Sequence, residues 1–160
     1  MKRPWNIVSP TVYSLVTYNS NNRLNMNICT YVSAISMQPK MYSIAIDYNT
    51  LSYQNLKKSS EPVILQLLSI ENSKLVRKLG KSSGFKTNKE EYLAKKGLLA
   101  NYKNRQILKN INGLVVLKKN KVIEDLGDHA LFIFDVIGYK TFSQQACLNF
   151  QDLVNQKIIL

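Results

Sequence analysis

Strand-like segments follow one another along this chain with no long helix between them, and that order constrains its fold more than any other feature. The longest covers residues 130–141 (ALFIFDVIGYKT). Before it come residues 12–18 (VYSLVTY), 24–33, 41–47 (MYSIAID), 63–68 (VILQLL), 114–118 and 121–126, the last two joined across Lys119-Asn120. β-Branched and aromatic residues fill these runs, as a pleated, half-buried surface requires. Asn- and Ser-rich residues 19–23 read as a turn, and Gln38-Pro39-Lys40 breaks the chain again. Helical spacing is confined to short stretches. These are residues 52–59, residues 72–81 with Asn72 or Ser73 as cap and Gly80 as stop, residues 89–96 ended by Gly97, and the start of the tail 149–160. A doubly wound parallel sheet needs a helix between successive strands. Six or seven strands with two or three short helices predict instead a mainly β fold, an antiparallel barrel closed fully or in part. No internal repeat or low-complexity linker interrupts the pattern, so one domain is expected.

Composition narrows the chemistry. The chain has 160 residues, 45% of them apolar, enough for a packed core. No stretch approaches the roughly 18–20 apolar residues that span a bilayer. The basic start, Met1-Lys2-Arg3-Pro4, leads into no apolar run with a cleavage site, so no signal peptide and a cytoplasmic location are expected. Cys29 and Cys147 stand far apart with no CxxC spacing, so no disulfide framework or zinc site is expected, and His129 is the one histidine, which excludes paired-imidazole chemistry within one chain. Phosphate-cradling glycine motifs and the GxSxG nucleophile elbow are absent. The formal net charge is +12, carried by scattered lysines. A solvated lysine face accounts for it. A nucleic-acid-binding barrel is the minority alternative, since no basic strand interleaved with aromatics is evident.

Four segments place polar or small residues next to strand ends. Residues 25–31 (NMNICTY) form a strand against whose backbone a flat ligand could lie. Residues 47–52 (DYNTLS) follow a strand and open a helix, where free N–H groups suit either an anion or a simple Thr50 or Ser52 cap. Residues 80–86 (GKSSGFK) suit a loop that wraps an anion, or a flexible surface loop. Gly127-Asp128-His129 precedes the longest strand.

In this order the segments resemble the flavin reductase-like FMN-binding split-barrel family. Residues 10–17 (PTVYSLVT) resemble its opening strand. Residues 25–31 resemble its "Asn-Ala-Met-Thr-Ala-Ser-Trp" strand, residues 35–39 its "Val-Ser-x-Asp-Pro", and residues 81–89 its "Ser-Gly-Arg-x-x-Asp-Lys-Phe". Residues 127–136 (GDHALFIFDV) are similar to "Gly-Asp-His-x-Leu-Phe-x-Gly-Glu-Val", the most specific of these. The sequence departs from the pattern at Met26, Asn27, Ile28, Cys29, Phe85, Asn88 and Phe134.

The resemblance implies a six- to seven-stranded Greek-key split barrel over residues 5–160, acting as a homodimer with FMN at the interface, FAD being the alternative flavin. It sets the ring against Asn27, Ile28, Cys29, Thr30 and Tyr31. It sets the phosphate on Asn49, Thr50 and Ser52, with Ser83, Gly84 and Lys86 closing over it. His129 would stand by the ring or the reductant. No protein residue is expected to act as acid or nucleophile. NAD(P)H is the implied reductant, with hydride arriving at flavin N5, and a flavin-accepting monooxygenase is the implied partner. An electron carrier without NAD(P)H activity is the alternative reading.

Overall fold

The computed structural model describes residues 1–159; Leu160, the end of the expected tail, lies outside them. Nine strands and four α-helices follow in the order β1 (Tyr13–Tyr18), β2 (Leu24–Cys29), β3 (Val32–Met37), β4 (Lys40–Asp47), α1 (Leu51–Lys58), β5 (Val63–Leu67), α2 (Ser73–Lys81), α3 (Lys89–Lys95), β6 (Leu99–Tyr102), β7 (Arg105–Leu108), β8 (Gly113–Ile123), β9 (His129–Thr141) and α4 (Phe150–Asn155). Seven strands form one antiparallel sheet in the order β2-β1-β5-β8-β9-β4-β3, and β6-β7 form a separate hairpin.

That order forces the sheet to curl. β2 and β3 lie at its opposite edges, yet Thr30 and Tyr31 alone connect them. Seven flat strands at about 4.8 Å spacing would hold the edges about 29 Å apart. Three Cα steps reach about 11 Å. The two edges must therefore come together, and the sheet rolls into a barrel. It does not seal. β2 pairs with β1 alone, and β4 pairs with β3 only as far as Ile44. A single bond from the Ala45 N–H to the Tyr31 carbonyl, 3.0 Å, ties the seam at one end.

Alternation along the strands builds two cores. Leu15, Ile44, Ile46, Leu65, Leu117, Phe132 and Phe134 fill the barrel. On the other face of β1, β2 and β5, Val12, Val16, Met26 and Ile64 meet Val76 and Leu79 of α2, Leu93 of α3, Ile107 of the hairpin and Leu153 of α4.

Some sequence expectations change. Residues 24–33 make two strands, since the chain passes there from one sheet edge to the other. The two strands expected at 114–118 and 121–126 are one, β8, which ends at Ile123, because long-range pairing with β9 carries it through Asn120 as a bulge. Gly80 lies inside α2 rather than ending it. A Cβ there would rest 3.5 Å from Ile28, so the small residue lets the helix close on β2. Among the described residues no helix is long and apolar enough to cross a membrane, and no cluster of His, Cys, Asp and Glu could hold a metal ion.

Candidate functional site

A cavity of about 480 Å³ occupies the seam between β2 and β4. Antiparallel pairing points both backbone groups of alternate residues to the same edge. On the outer edge of β2 the first two such residues are covered by α3: the Glu90 carboxylate accepts from the Leu24 N–H at 3.1 Å, and Lys89 Nζ donates to the Met26 carbonyl at 2.9 Å. Beyond them the backbone of Ile28 faces the cavity with no strand beside it. A flat heterocycle with alternating donors and acceptors meets the same groups there that a neighbouring strand would.

α3 stands where it does for local reasons. The Asn88 side chain caps it by accepting from the Glu91 N–H at 3.1 Å. Gly97, at φ 65°, ends it: its N–H reaches the Ala94 carbonyl and that of Leu98 reaches Leu93. Lys89, in the first turn, is 4% exposed. Its ammonium also donates to the Leu79 carbonyl at 2.7 Å and so joins β2 to α2. Burial pushes its pKa down to about 8.

The wall opposite β2 is the start of α1. Thr50 caps it, accepting from the Tyr53 N–H at 3.2 Å while donating to the Asp47 carbonyl at 2.8 Å. Its hydroxyl hydrogen is thereby used, so Thr50 is a structural cap. The next two N–H groups, of Leu51 and Ser52, belong to cavity-lining residues and have no intrahelical acceptor. Ser52 is buried, and its Oγ accepts from Asn25 Nδ2 at 3.0 Å. The Asp47 carboxylate accepts from the Asn49 N–H at 2.8 Å, which fixes the turn that leads into α1.

The loop after α2 closes this end. Ser83 Oγ accepts from the Phe85 N–H at 3.2 Å. Gly84 presses so closely that a Cβ would lie 2.6 Å from Asn25 Oδ1 and 2.9 Å from Leu51 Cβ. Lys81, Ser82, Ser83 and Gly84 thus surround the helix start with hydroxyls, backbone N–H groups and a cation.

At the far end His129 opens β9 opposite Asp47 and packs edge-on to Tyr31, ring centres 5.2 Å apart. Its Nδ1 lies 2.6 Å from the Asp128 carboxylate, and that contact holds Asp128 below the usual carboxylate range. Tyr31 is 65% exposed at the rim. Cys29 faces the cavity from a buried position, where desolvation pushes its thiol up to about 12 and leaves it no nucleophile.

Asn27, Ile28, Cys29, Thr30, Tyr31, Asn49, Thr50, Ser52, Ser83, Gly84 and His129, singled out from sequence, therefore all line one cavity. Lys86 does not. It lines a narrow neighbouring cleft, because the bend at Ser83–Phe85 turns it outward. Lys81 and Lys89 line the cavity instead. Lys89 had a signal in the Lys of the "Asp-Lys-Phe" match, but the scattered lysines were read together as a solvated face.

An antiparallel split barrel with a strand-edge cleft, hydroxyls and N–H groups at one end and a histidine at the other defines a class built for a flat, anion-bearing ligand. Residues 8–156 match the flavin reductase like domain, and the chain belongs to that family. No curated protein matches it in sequence. Among solved structures it is similar to an FMN-binding protein from Thermus thermophilus (TM-score 0.75, 17% identity, 88% of this chain and 75% of that one covered). It is also similar to flavoredoxin from Methanosarcina acetivorans (TM-score 0.74, 15% identity, 91% and 77% covered). A third is the styrene monooxygenase flavin reductase from Pseudomonas putida (TM-score 0.72, 14% identity, 89% and 86% covered). At these identities the likeness is one of fold.

Proposed function

We propose that this protein is a flavin-dependent oxidoreductase that takes hydride from NAD(P)H onto a flavin held in the β2–β4 seam, and that residues 5–160 form the one unit that does so. The observation that carries this is the unpaired Ile28 backbone edge, lying between the donor-rich start of α1 and His129. The donor set fits a flavin nucleotide. The Ile28 edge offers an N–H and a C=O to the ring. Leu51 and Ser52 N–H, the hydroxyls of Ser82 and Ser83, and Lys81 and Lys89 suit a phosphate.

A bound flavin supplies the hydride chemistry. The protein's residues bind and orient. The Ile28 edge fixes the ring's rotation, the α1 start and the 82–84 loop anchor the phosphate, and Leu79 and Ile46 exclude water from the inner wall. His129, braced by Asp128 through Nδ1, lines the cavity and keeps its other ring nitrogen for the flavin or the reductant.

The reading includes a homodimer. Tyr31 is 65% exposed at the cavity rim, Ile35 and Met37 are exposed by 49 and 78% further along β3, and Ile137 and Tyr139 of β9 are exposed by 53 and 67%. Apolar side chains so displayed call for a partner surface, and a second copy reaching Tyr31 would add to the cavity's outer wall. Release of reduced flavin to a monooxygenase belongs to the same reading.

The test is a visible spectrum of the purified protein before and after adding FMN, followed by NADH or NADPH without oxygen. Flavin uptake and rapid bleaching are expected. A colourless protein that takes up no flavin refutes the reading. Flavin bleached by dithionite but by neither nicotinamide refutes its reductase part.

A further inference from the structure

β8 and β9 are joined by residues 124–128, and all of them are exposed. A loop without a buried side chain has no anchor of its own in the core. This one nevertheless carries Asp128, which braces the cavity-lining His129. What holds it lies on α1 and on the turn that leads into α1. The Tyr48 hydroxyl donates to the Glu124 carbonyl, with the Leu126 carbonyl 3.3 Å away. The Tyr48 N–H donates to the Asp128 carbonyl at 3.3 Å. One oxygen of the Glu124 carboxylate accepts from the Tyr53 hydroxyl, and the other accepts from Lys57 Nζ at 2.7 Å. Tyr53 and Lys57, four residues apart, share one face of α1.

The clasp is itself fixed. The Tyr53 ring packs edge-on to Tyr48, centres 5.2 Å apart, and to the buried Phe132, centres 6.2 Å apart. Lys119 of β8 donates to the Leu56 and Ser59 carbonyls, the latter at 3.0 Å, and so ties the end of α1 to the strand that leads into the loop. The bonds from Lys57 and Tyr53 hold the Glu124 carboxyl below its usual range, so it is charged at neutral pH.

We propose that Glu124 is a positioning residue for flavin reduction: clasped by Tyr53 and Lys57, it fixes the 124–128 loop and, through it, the Asp128–His129 pair at the cavity. This rests on the flavin reading above. An exposed Lys57–Glu124 ion pair would by itself contribute little. Here an ion pair, a phenol and two backbone bonds from Tyr48 converge on one short loop. They come from a helix whose other end lines the same cavity. α1 therefore holds both ends of the site in one frame. Leu51 and Ser52 at its start face the phosphate end, and Tyr53 and Lys57 hold the loop that leads to His129.

The experiment loads the full-length protein with FMN and follows its bleaching by NADH or NADPH without oxygen, by stopped flow. It compares wild type, Glu124→Ala, Glu124→Gln, Tyr53→Phe, His129→Ala and the double variant Glu124→Ala/His129→Ala. Glu124→Ala is expected to slow the limiting rate by about tenfold, as the loss of a charge-assisted hydrogen bond allows. Tyr53→Phe, and Glu124→Gln, whose amide oxygen still accepts one bond, are expected to slow it by about threefold. FMN affinity is expected to change by less than about twofold in all three, and the double variant to match His129→Ala within about twofold, because Glu124 acts through His129. Losses that multiply in the double variant overturn the proposal. A Glu124→Ala rate equal to that of the wild type overturns it too and leaves the flavin reading standing on uptake and bleaching. FMN affinity that falls in step with the rate assigns the clasp to the phosphate end and also overturns it. A wild type that takes up no flavin, or whose flavin neither nicotinamide bleaches, removes this proposal together with the reading it rests on.

Discussion

Lys89→Met separates the electrostatic role of the buried lysine from its structural one. Depression of its pKa from 10.5 to about 8 means that burial disfavours the protonated side chain by about 3 kcal/mol. Methionine, similar in length and apolar, escapes that cost. It also leaves the Met26 and Leu79 carbonyls without a donor, at about 1–3 kcal/mol each. The two effects nearly cancel, and a net change of about 1 kcal/mol moves the melting temperature of a chain this size by about 2–4 °C. Ligand affinity has no such compensation. A positive charge about 8 Å from a phosphate, at an effective dielectric of about 20, contributes about 2 kcal/mol per phosphate charge. Lys89→Met should therefore weaken FMN by about 30-fold or more and riboflavin, which lacks the phosphate, by less than twofold. Fluorescence titration with both flavins, beside thermal melts, reads the two effects separately. Equal losses for FMN and riboflavin would refute the assignment of Lys89 to the phosphate end, and a fall in melting temperature beyond about 10 °C would refute the cancellation. The pH dependence has a definite sign. Between about pH 8 and 10.5 the unfolded chain holds the Lys89 proton and the folded chain does not, so wild-type stability gains as pH rises through that window. Lys89→Met should lack that gain.

Three further changes follow from the same geometry. Gly84→Ala drives a Cβ against Asn25 and Leu51, and Asn25 holds Ser52; thermal melts should show about 1–3 kcal/mol lost and FMN titration a drop of about tenfold, whereas wild-type values in both would mean the loop has free room. His129→Ala should slow flavin reduction by NAD(P)H by about tenfold or more, the loss of one charge-assisted hydrogen bond of about 1.5–3 kcal/mol, while FMN affinity changes less than threefold; stopped-flow bleaching separates the two. Glu124→Gln should let the Tyr53 phenol, pushed up to about 12 chiefly by its hydrogen bond to Glu124, titrate nearer 10 by ultraviolet absorbance; an unmoved titration would mean the carboxylate is not the cause.

Local chemistry made the fold largely legible. The runs at β1, β4, β5 and β9 hold β-branched and aromatic residues between clear breakers, and Asn88 with Gly97 brackets α3 at both ends. The errors fall where long-range pairing overrides local preference. Thr30, Tyr31 and Val32 all favour strands, and nothing in them records that the chain changes sheet edges there. Lys119-Asn120 looks like a turn, yet β9 carries it as a bulge. The β6–β7 hairpin was not anticipated, since its four-residue strands meet at Lys103, a non-glycine at φ 52°. The lining of the candidate cavity was legible where resemblance supplied residues in order. Lys86 and Lys89 lie three residues apart, and which of them enters the cavity depends on the bend at Ser83–Phe85 and on where α3 begins.

The placement of the cavity follows from the same two-residue link that bends the sheet. A strand edge left bare is a liability, because its N–H and C=O groups recruit other strands. β2 is such an edge, held close to β4 by Thr30 and Tyr31 but not paired with it. α3 covers the first half with Glu90 and Lys89, leaving the backbone of Ile28. Wider pairing between β2 and β4 would satisfy that backbone and close the barrel, and it would also abolish the seam. The Asn25 bond to Ser52 and the packing of Gly84 on Leu51 hold α1 and the 82–84 loop around the seam. A flat ligand along Ile28 then does for the protein what a missing strand would do, so binding should stabilise the barrel itself. Saturating FMN at about 100 times its Kd is expected to add about 2.7 kcal/mol to unfolding. Amide hydrogen exchange should show that gain at residues 26–31 and at the start of α1. Protection confined to α4, on the far face of the sheet, would contradict this placement of the flavin.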